Sequence, residues 1–285
     1  MAYFIFDMDQ TLADPFSAFY FIDSLRALSK KYKTDRPYNT FVQDILSEET
    51  SNKPLGILRP GILPIFIKLK GLQEKGKIKS VIIYSNNGHL ESLEFIRDLI
   101  HLYIGTDNLI SECIHWYHPM RNSERIVKPG IPNKTWNILK NIMIKGNCKA
   151  PKDLDPRDAY FFDDLDHPDL QRNLGDNYYK VPAYSFKASV IRIADIYRSA
   201  LNGVSNINKN SIDNVIQTFK NKTKGTAAAN VLPPPADKGI TMIEDAISRV
   251  DNTMITGGGK FVRFKTIKRK RKCCNCRLRR TSRKN

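Results

Sequence analysis

Apolar residues over the first 200 positions fall into two alternating textures. Short, nearly uninterrupted apolar runs at 3–6, 80–84 and 159–162 are the kind of segment that forms a strand buried on both faces. Between them, apolar residues recur at helical spacing. Phe16, Phe19, Tyr20, Ile22, Leu25 and Leu28 predict a helix over 15–33, with Asp14 and Pro15 supplying its cap and first turn. The same spacing predicts helices at Ile62–Glu74, His89–Tyr103, Pro132–Ile144 and Ser189–Leu201. Leu109–Trp116 and Tyr178–Tyr184 read as two further strands. Strands alternating with helices predict an α/β fold, a Rossmann-like and mostly parallel sheet with helices on both faces. Residues 34–60 follow neither period well beyond one short helix near Phe41–Leu46, so 13–58 reads as an insert or small cap.

The texture changes after residue 203, which sets the folded domain at 1–203. Residues 204–256 read as a linker carrying short helices at Ile212–Phe219 and Thr241–Met254, with Ala-rich and Pro-rich sequence at 225–238. Gly257-Gly258-Gly259 then releases a basic tail, 257–285, expected to be disordered.

Composition sharpens this division. The 285 residues are 41% hydrophobic and 26% charged, which are globular values. The net charge of +17 belongs to the tail: residues 260–285 hold 13 Lys or Arg and no acid, leaving 33 basic against 29 acidic residues for 1–259. Cys113 and Cys148 lie in the body, and Cys273, Cys274 and Cys276 crowd into the tail. That odd, clustered set is unlike a secreted disulfide framework, and without a nearby His it falls short of a four-ligand zinc site. No apolar run approaches the roughly 18 residues of a membrane span, and the N-terminus lacks a signal-peptide pattern. The expectation is an intracellular protein, nuclear or cytoplasmic, without a transmembrane segment.

Candidate chemistry gathers where apolar runs stop. The first run ends in Asp7 and Asp9, two carboxylates that an extended chain would present on one side. Open α/β sheets place ligands at the carboxyl ends of their strands. The second run ends in Ser85-Asn86-Asn87-Gly88, a hydroxyl and several amides before a helix. Taken alone, that turn reads equally as a helix cap. Lys128-Pro129-Gly130 precedes another predicted helix, with Lys134 as a second candidate cation. The third run ends in Asp163, Asp164 and Asp166, whose mutual repulsion favours a bound cation over a plain acidic loop.

The order D-x-D-x-T-L, strand–Ser-Asn, Lys, strand–Asp-Asp resembles the haloacid dehalogenase-like (HAD) phosphohydrolases over about residues 1–200. The resemblance implies a HAD-like fold with a small or absent cap. It implies that Asp7 is the nucleophile forming an aspartyl-phosphate, and that Asp9 is the general acid and then the base. It further implies that Ser85 and Asn86 bind phosphate, and that Lys128 neutralises nucleophile and phosphate. Mg²⁺ would be held by Asp7, the Asp9 carbonyl, Asp163 and Asp164, with Asp166 less central. An acid at the second position goes with the phosphatases of that superfamily. Arg59-Pro60-Gly61 before an apolar helix resembles the branch acting on the RNA polymerase II carboxy-terminal domain, although Gln10, Ala13 and residues 115–135 depart from its usual sequence. The expected activity is therefore Mg²⁺-dependent phosphomonoester hydrolysis, with a phosphoprotein as substrate.

The tail adds a second expectation. Lys268–Lys272 and Arg277–Arg280 would neutralise a polyanion such as nucleic acid, or serve as a nuclear localisation signal; the alternative is a solvated, solubilising tail. Two other functions fit parts of the pattern. A nucleic-acid end phosphatase would unite the acids and the tail, and a non-catalytic HAD-fold scaffold would use the tail alone.

Overall fold

Five parallel strands form one sheet in the order β3-β2-β1-β4-β5 in a computed structural model describing residues 1–122, 134–185, 188–202, 209–222, 237–255 and 261–262. The strands are β1 (Ala2–Phe6), β2 (Ile78–Tyr84), β3 (Ile110–Ile114), β4 (Ala159–Asp163) and β5 (Tyr178–Lys180). The chain builds outward from β1 to β2 and β3, then returns to place β4 on the other side of β1. The reversal opens a crevice beyond the carboxyl ends of β1 and β4, the position where such sheets bind ligands.

The period-2 alternation of strand side chains divides the core. Phe4, Phe6, Val81, Ile83, Tyr160, Phe162 and Tyr179 point to one face, and Tyr3, Ile5, Ile82, Tyr84 and Phe161 to the other. The first face is covered by α1 (Phe16–Tyr32), α2 (Arg36–Glu49), α3 (Ile62–Glu74), α4 (Leu90–Ile104), α7 (Val190–Leu201), α8 (Lys209–Lys222) and α9 (Lys238–Asp251). The second is covered by α5 (Trp136–Lys145) and α6 (Pro168–Leu174). Rings stack across the strands, Phe4 on Tyr160 at 5.2 Å, Phe6 on Phe162 at 4.8 Å and Phe162 on Tyr179 at 4.8 Å. Such pairs add about 0.5–1.5 kcal/mol each beyond burial. They tie β1, β4 and β5 together, and the first two of these carry the acids at their ends.

Several elements differ from expectation for identifiable reasons. Helix α2 is 14 residues long rather than a short helix near Phe41–Leu46, because Tyr38, Phe41, Val42 and Ile45 form a complete i, i+3, i+4, i+7 stripe among polar neighbours. Residues 13–58 thus supply α1 and α2, both buried in the cluster that covers the sheet. Strand β5 stops at Lys180 because Pro182 has no amide to continue a ladder. The compact unit extends from Met1 to Asp251, past the boundary expected at 203. Ile216 and Phe219 of α8, with Ile243, Ala246, Ile247 and Val250 of α9, are buried in the main cluster. A separate unit, 252–285, contains an antiparallel pairing of β6 (Met254–Ile255) with β7 (Phe261–Val262). Lys128, the linker sequence at 223–236 and residues 263–285, with Cys273, Cys274 and Cys276, lie outside the described residues. Among the described residues no helix is long and apolar enough to cross a membrane.

Candidate functional site

Strand alternation decides where the acids point. The Asp7 amide donates to the Phe162 carbonyl at 2.8 Å, so the extended chain continues one residue past β1. Asp7 therefore falls on the side of Tyr3 and Ile5, and Asp163 on the side of Phe161. Both face the layer of α5. Lys134, two residues before that helix, is 1% exposed and places Nζ 2.5 Å from Asp7 Oδ1 and 2.7 Å from Asp163 Oδ2. A cation between two buried carboxylates is the arrangement that lets both approach without solvent.

Asp9 takes different partners because the chain turns after Asp7. Ser85 Oγ donates to Asp9 Oδ2 at 3.0 Å, and Asn87 Nδ2 to Asp9 Oδ1 at 3.2 Å. The turn bearing these donors is itself held: the Asn87 amide donates to Ser85 Oγ, and Arg121 Nη1 donates to the Ser85 carbonyl at 2.6 Å. Arg121 Nη2 donates to Asn86 Oδ1 at 2.7 Å, so Asn86 braces the turn with its side chain. Arg121 is fully buried, its guanidinium 4.5 Å from the Tyr84 ring centroid.

Asp163 has the densest set of partners. Its Oδ1 accepts the Leu165 amide at 2.8 Å, and His167 Nε2 lies 3.1 Å from Oδ2. The Lys134 amide donates to His167 Nδ1 at 3.4 Å, which orients the ring with Nε2 toward Asp163. Thr11 Oγ1 donates to Asp164 at 3.4 Å. Asp166 stands apart: it is half-exposed, pairs with Lys180 and accepts from Gln171.

These environments separate the acids. Burial pushes Asp7 well above the usual carboxylate range against the opposing pull of Lys134, and the charges of Asp163 and Asp9 push the same way. Burial also raises Asp9, although Ser85 and Asn87 oppose it. Burial alone would raise Asp163, but Lys134 and His167 outweigh it and hold the carboxyl at about 2. Asp164 is raised by burial and by the neighbouring charge of Asp163. For Lys134, burial disfavours the charge, yet Asp7 and Asp163 carry its pKa above the ordinary value. Lys134 thus acts to lower all four carboxylates, yet burial still disfavours the ionised forms of Asp7, Asp9 and Asp164.

That penalty on their charged forms is what a hard cation relieves. Asp7, Asp163 and Asp164 each offer an oxygen within 4.8 Å of the others, an all-oxygen donor set suited to a divalent ion of the Mg²⁺ or Ca²⁺ class.

Of the candidates read from the sequence, Asp7, Asp9, Ser85, Asp163 and Asp164 converge here, and Asn86 sits behind the Ser85 turn. Lys128 lies outside the described residues, and Lys134 occupies the place beside Asp7. The Asn87 side chain, Arg121, Thr11 and His167 were not identified from sequence. His167, four residues after Asp163, was the one with a local signal. Arg121 had none, because its partner lies 36 residues away across the sheet edge. Comparison with protein-family profiles, with curated proteins and with solved structures finds no match.

Proposed function

We propose that this chain is a divalent-cation-dependent phosphomonoesterase of the HAD type, working through an aspartyl-phosphate on Asp7. The observation that carries the reading is the division of the carboxylates: Asp7 and Asp163 share Lys134, whereas Asp9 is held by Ser85 and Asn87. A nucleophile and a proton carrier need those two different environments.

In this mechanism an Asp7 carboxylate oxygen attacks phosphorus and the bond to the leaving oxygen breaks. Asp9, favoured in its protonated form by burial, gives its proton to that oxygen. Asp9 then takes a proton from water, the water oxygen attacks phosphorus, and the Asp7–phosphorus bond breaks to release phosphate. Lys134 opposes the burial that disfavours the ionised form of Asp7 and offsets charge on the incoming phosphate. The Ser85 hydroxyl, oriented by Arg121 through the backbone, would turn its one proton from Asp9 to a phosphoryl oxygen when substrate binds. Mg²⁺, held by Asp7, Asp163 and Asp164, would neutralise the remaining charge and polarise the phosphoryl group.

A phosphoprotein is the substrate class we favour. It is supported by Arg59-Pro60-Gly61 and by residues 13–58, which form helices buried in the main cluster. The basic run at 260–285 supports an additional polyanion contact, with nucleic acid as the leading partner. Phosphate release from p-nitrophenyl phosphate with Mg²⁺, compared with the Asp7→Asn protein, tests the activity. We expect at least a thousandfold loss in Asp7→Asn and loss in excess EDTA; turnover retained by Asp7→Asn overturns the assignment.

A further inference from the structure

We infer that Arg59 is a positioning residue that couples the docking of α9 to the shape of the turn following Asp9. Its effect on turnover rests on the phosphatase reading; the coupling rests on geometry alone.

Arg59 is 2% exposed, an unusual depth for a guanidinium. Its Nη2 donates to the Gln10 carbonyl at 3.0 Å and also to the Pro182 carbonyl. The Gln10 carbonyl accepts the Tyr184 amide at 2.6 Å as well, and the Arg59 amide donates to the Leu12 carbonyl at 2.9 Å. One residue therefore grips both ends of the segment Gln10–Leu12. Gln10 has φ 59, the left-handed region that a residue with a side chain adopts at a cost and keeps when its surroundings enforce it. The residue before it is Asp9, so the grip on Gln10 sets the path of the chain that delivers the Asp9 carboxyl.

The same guanidinium also meets the start of α9 through Nε and Nη1. Arg59 Nε lies 3.5 Å from Asp237 Oδ2, and Asp237 Oδ1 accepts the Gly239 amide at 2.7 Å at the start of the helix. Gly239 is buried, and a Cβ there would fall 2.0 Å from Arg59 Nη1. Alanine is the better helix former, so the glycine answers to this close approach. Nη1 has no hydrogen-bond partner among the described residues, so α9 holds that end of the guanidinium by packing alone. A helix some 230 residues from Asp9 in the chain thus braces the segment next to it.

Two variants that leave every site carboxylate in place test this. Gly239→Ala pushes a methyl group into the guanidinium. Asp237→Asn removes the charge facing Arg59, keeps the cap on α9 and covers the case in which Gly239→Ala does not fold. Backbone hydrogen exchange, read at the Gln10 and Tyr184 amides, is compared with kcat and KM for p-nitrophenyl phosphate. We expect exchange at those two amides to rise at least tenfold in either variant, with β1 amides unchanged. We also expect kcat to fall at least fivefold while KM stays within twofold. Unchanged exchange at Gln10 and Tyr184 overturns the coupling, and faster exchange with unchanged kcat overturns the positioning role. If the unsubstituted chain has no phosphatase activity, the functional reading fails separately and exchange alone decides the coupling.

Discussion

At the residue scale, Lys134 carries the most weight. It is buried with two carboxylates at bonding distance, and removing one partner of a buried ion pair leaves uncompensated charge. Lys134→Met is expected to lower stability by about 3 kcal/mol, measured by urea unfolding, and to abolish turnover. Asp163 supplies a pH signature. Its folded carboxyl is held at about 2, below the ordinary 3.8, by Lys134 and His167 acting against burial. The ionised form therefore adds stability that is fully present above about 3.8 and is lost as pH falls through about 2. Lowering a pKa by one corresponds to roughly 1.4 kcal/mol. Measured in EDTA, Asp163→Asn should accordingly be less stable by about 2 kcal/mol near neutral pH. That deficit should close as the pH approaches 2. A deficit independent of pH would show that Asp163 acts through packing instead of charge.

At the element scale, the sheet was legible because its three central strands are buried on both faces, and such strands are written as plain apolar runs ending abruptly in polar residues. Asp7, Ser85 and Asp163 could be read from those ends for the same reason. The cation was harder to place, because a lysine in a loop carries no periodic signal. Only the fold shows that Lys134 stands beside the ends of β1 and β4. Helix α9 was legible as amphipathic but not as part of the core, since Pro-rich sequence precedes it and nothing local says what its apolar face covers. It buries Ile243 completely against the main cluster. Ile243→Ala should therefore cost about 2–5 kcal/mol in chemical denaturation, the range for an isoleucine emptied from a core. A helix on a solvated linker would lose under about 0.5 kcal/mol.

At the scale of the whole molecule, the body and the basic segment divide the work. The body, Met1–Asp251, forms one compact unit, and the charge excess lies beyond it. Removing residues 257–285 should leave the thermal transition of the body in place. It should weaken binding to a duplex oligonucleotide and flatten its salt dependence, since every phosphate the protein no longer neutralises reduces the slope by about 0.9. Equal binding by both proteins at low salt would place the polyanion contact on the body. The central claim concerns Asp7, and the most direct test is to catch the phosphoryl group there. Asp9→Asn protein, whose second step lacks its base, would be mixed with Mg²⁺ and p-nitrophenyl phosphate, quenched in acid and mapped by peptide mass spectrometry. The account predicts one phosphoryl group on Asp7, absent when Asp7→Asn is added. A phosphoryl group on another residue, or turnover by the unsubstituted protein with no phosphoenzyme at any quench time, would contradict it.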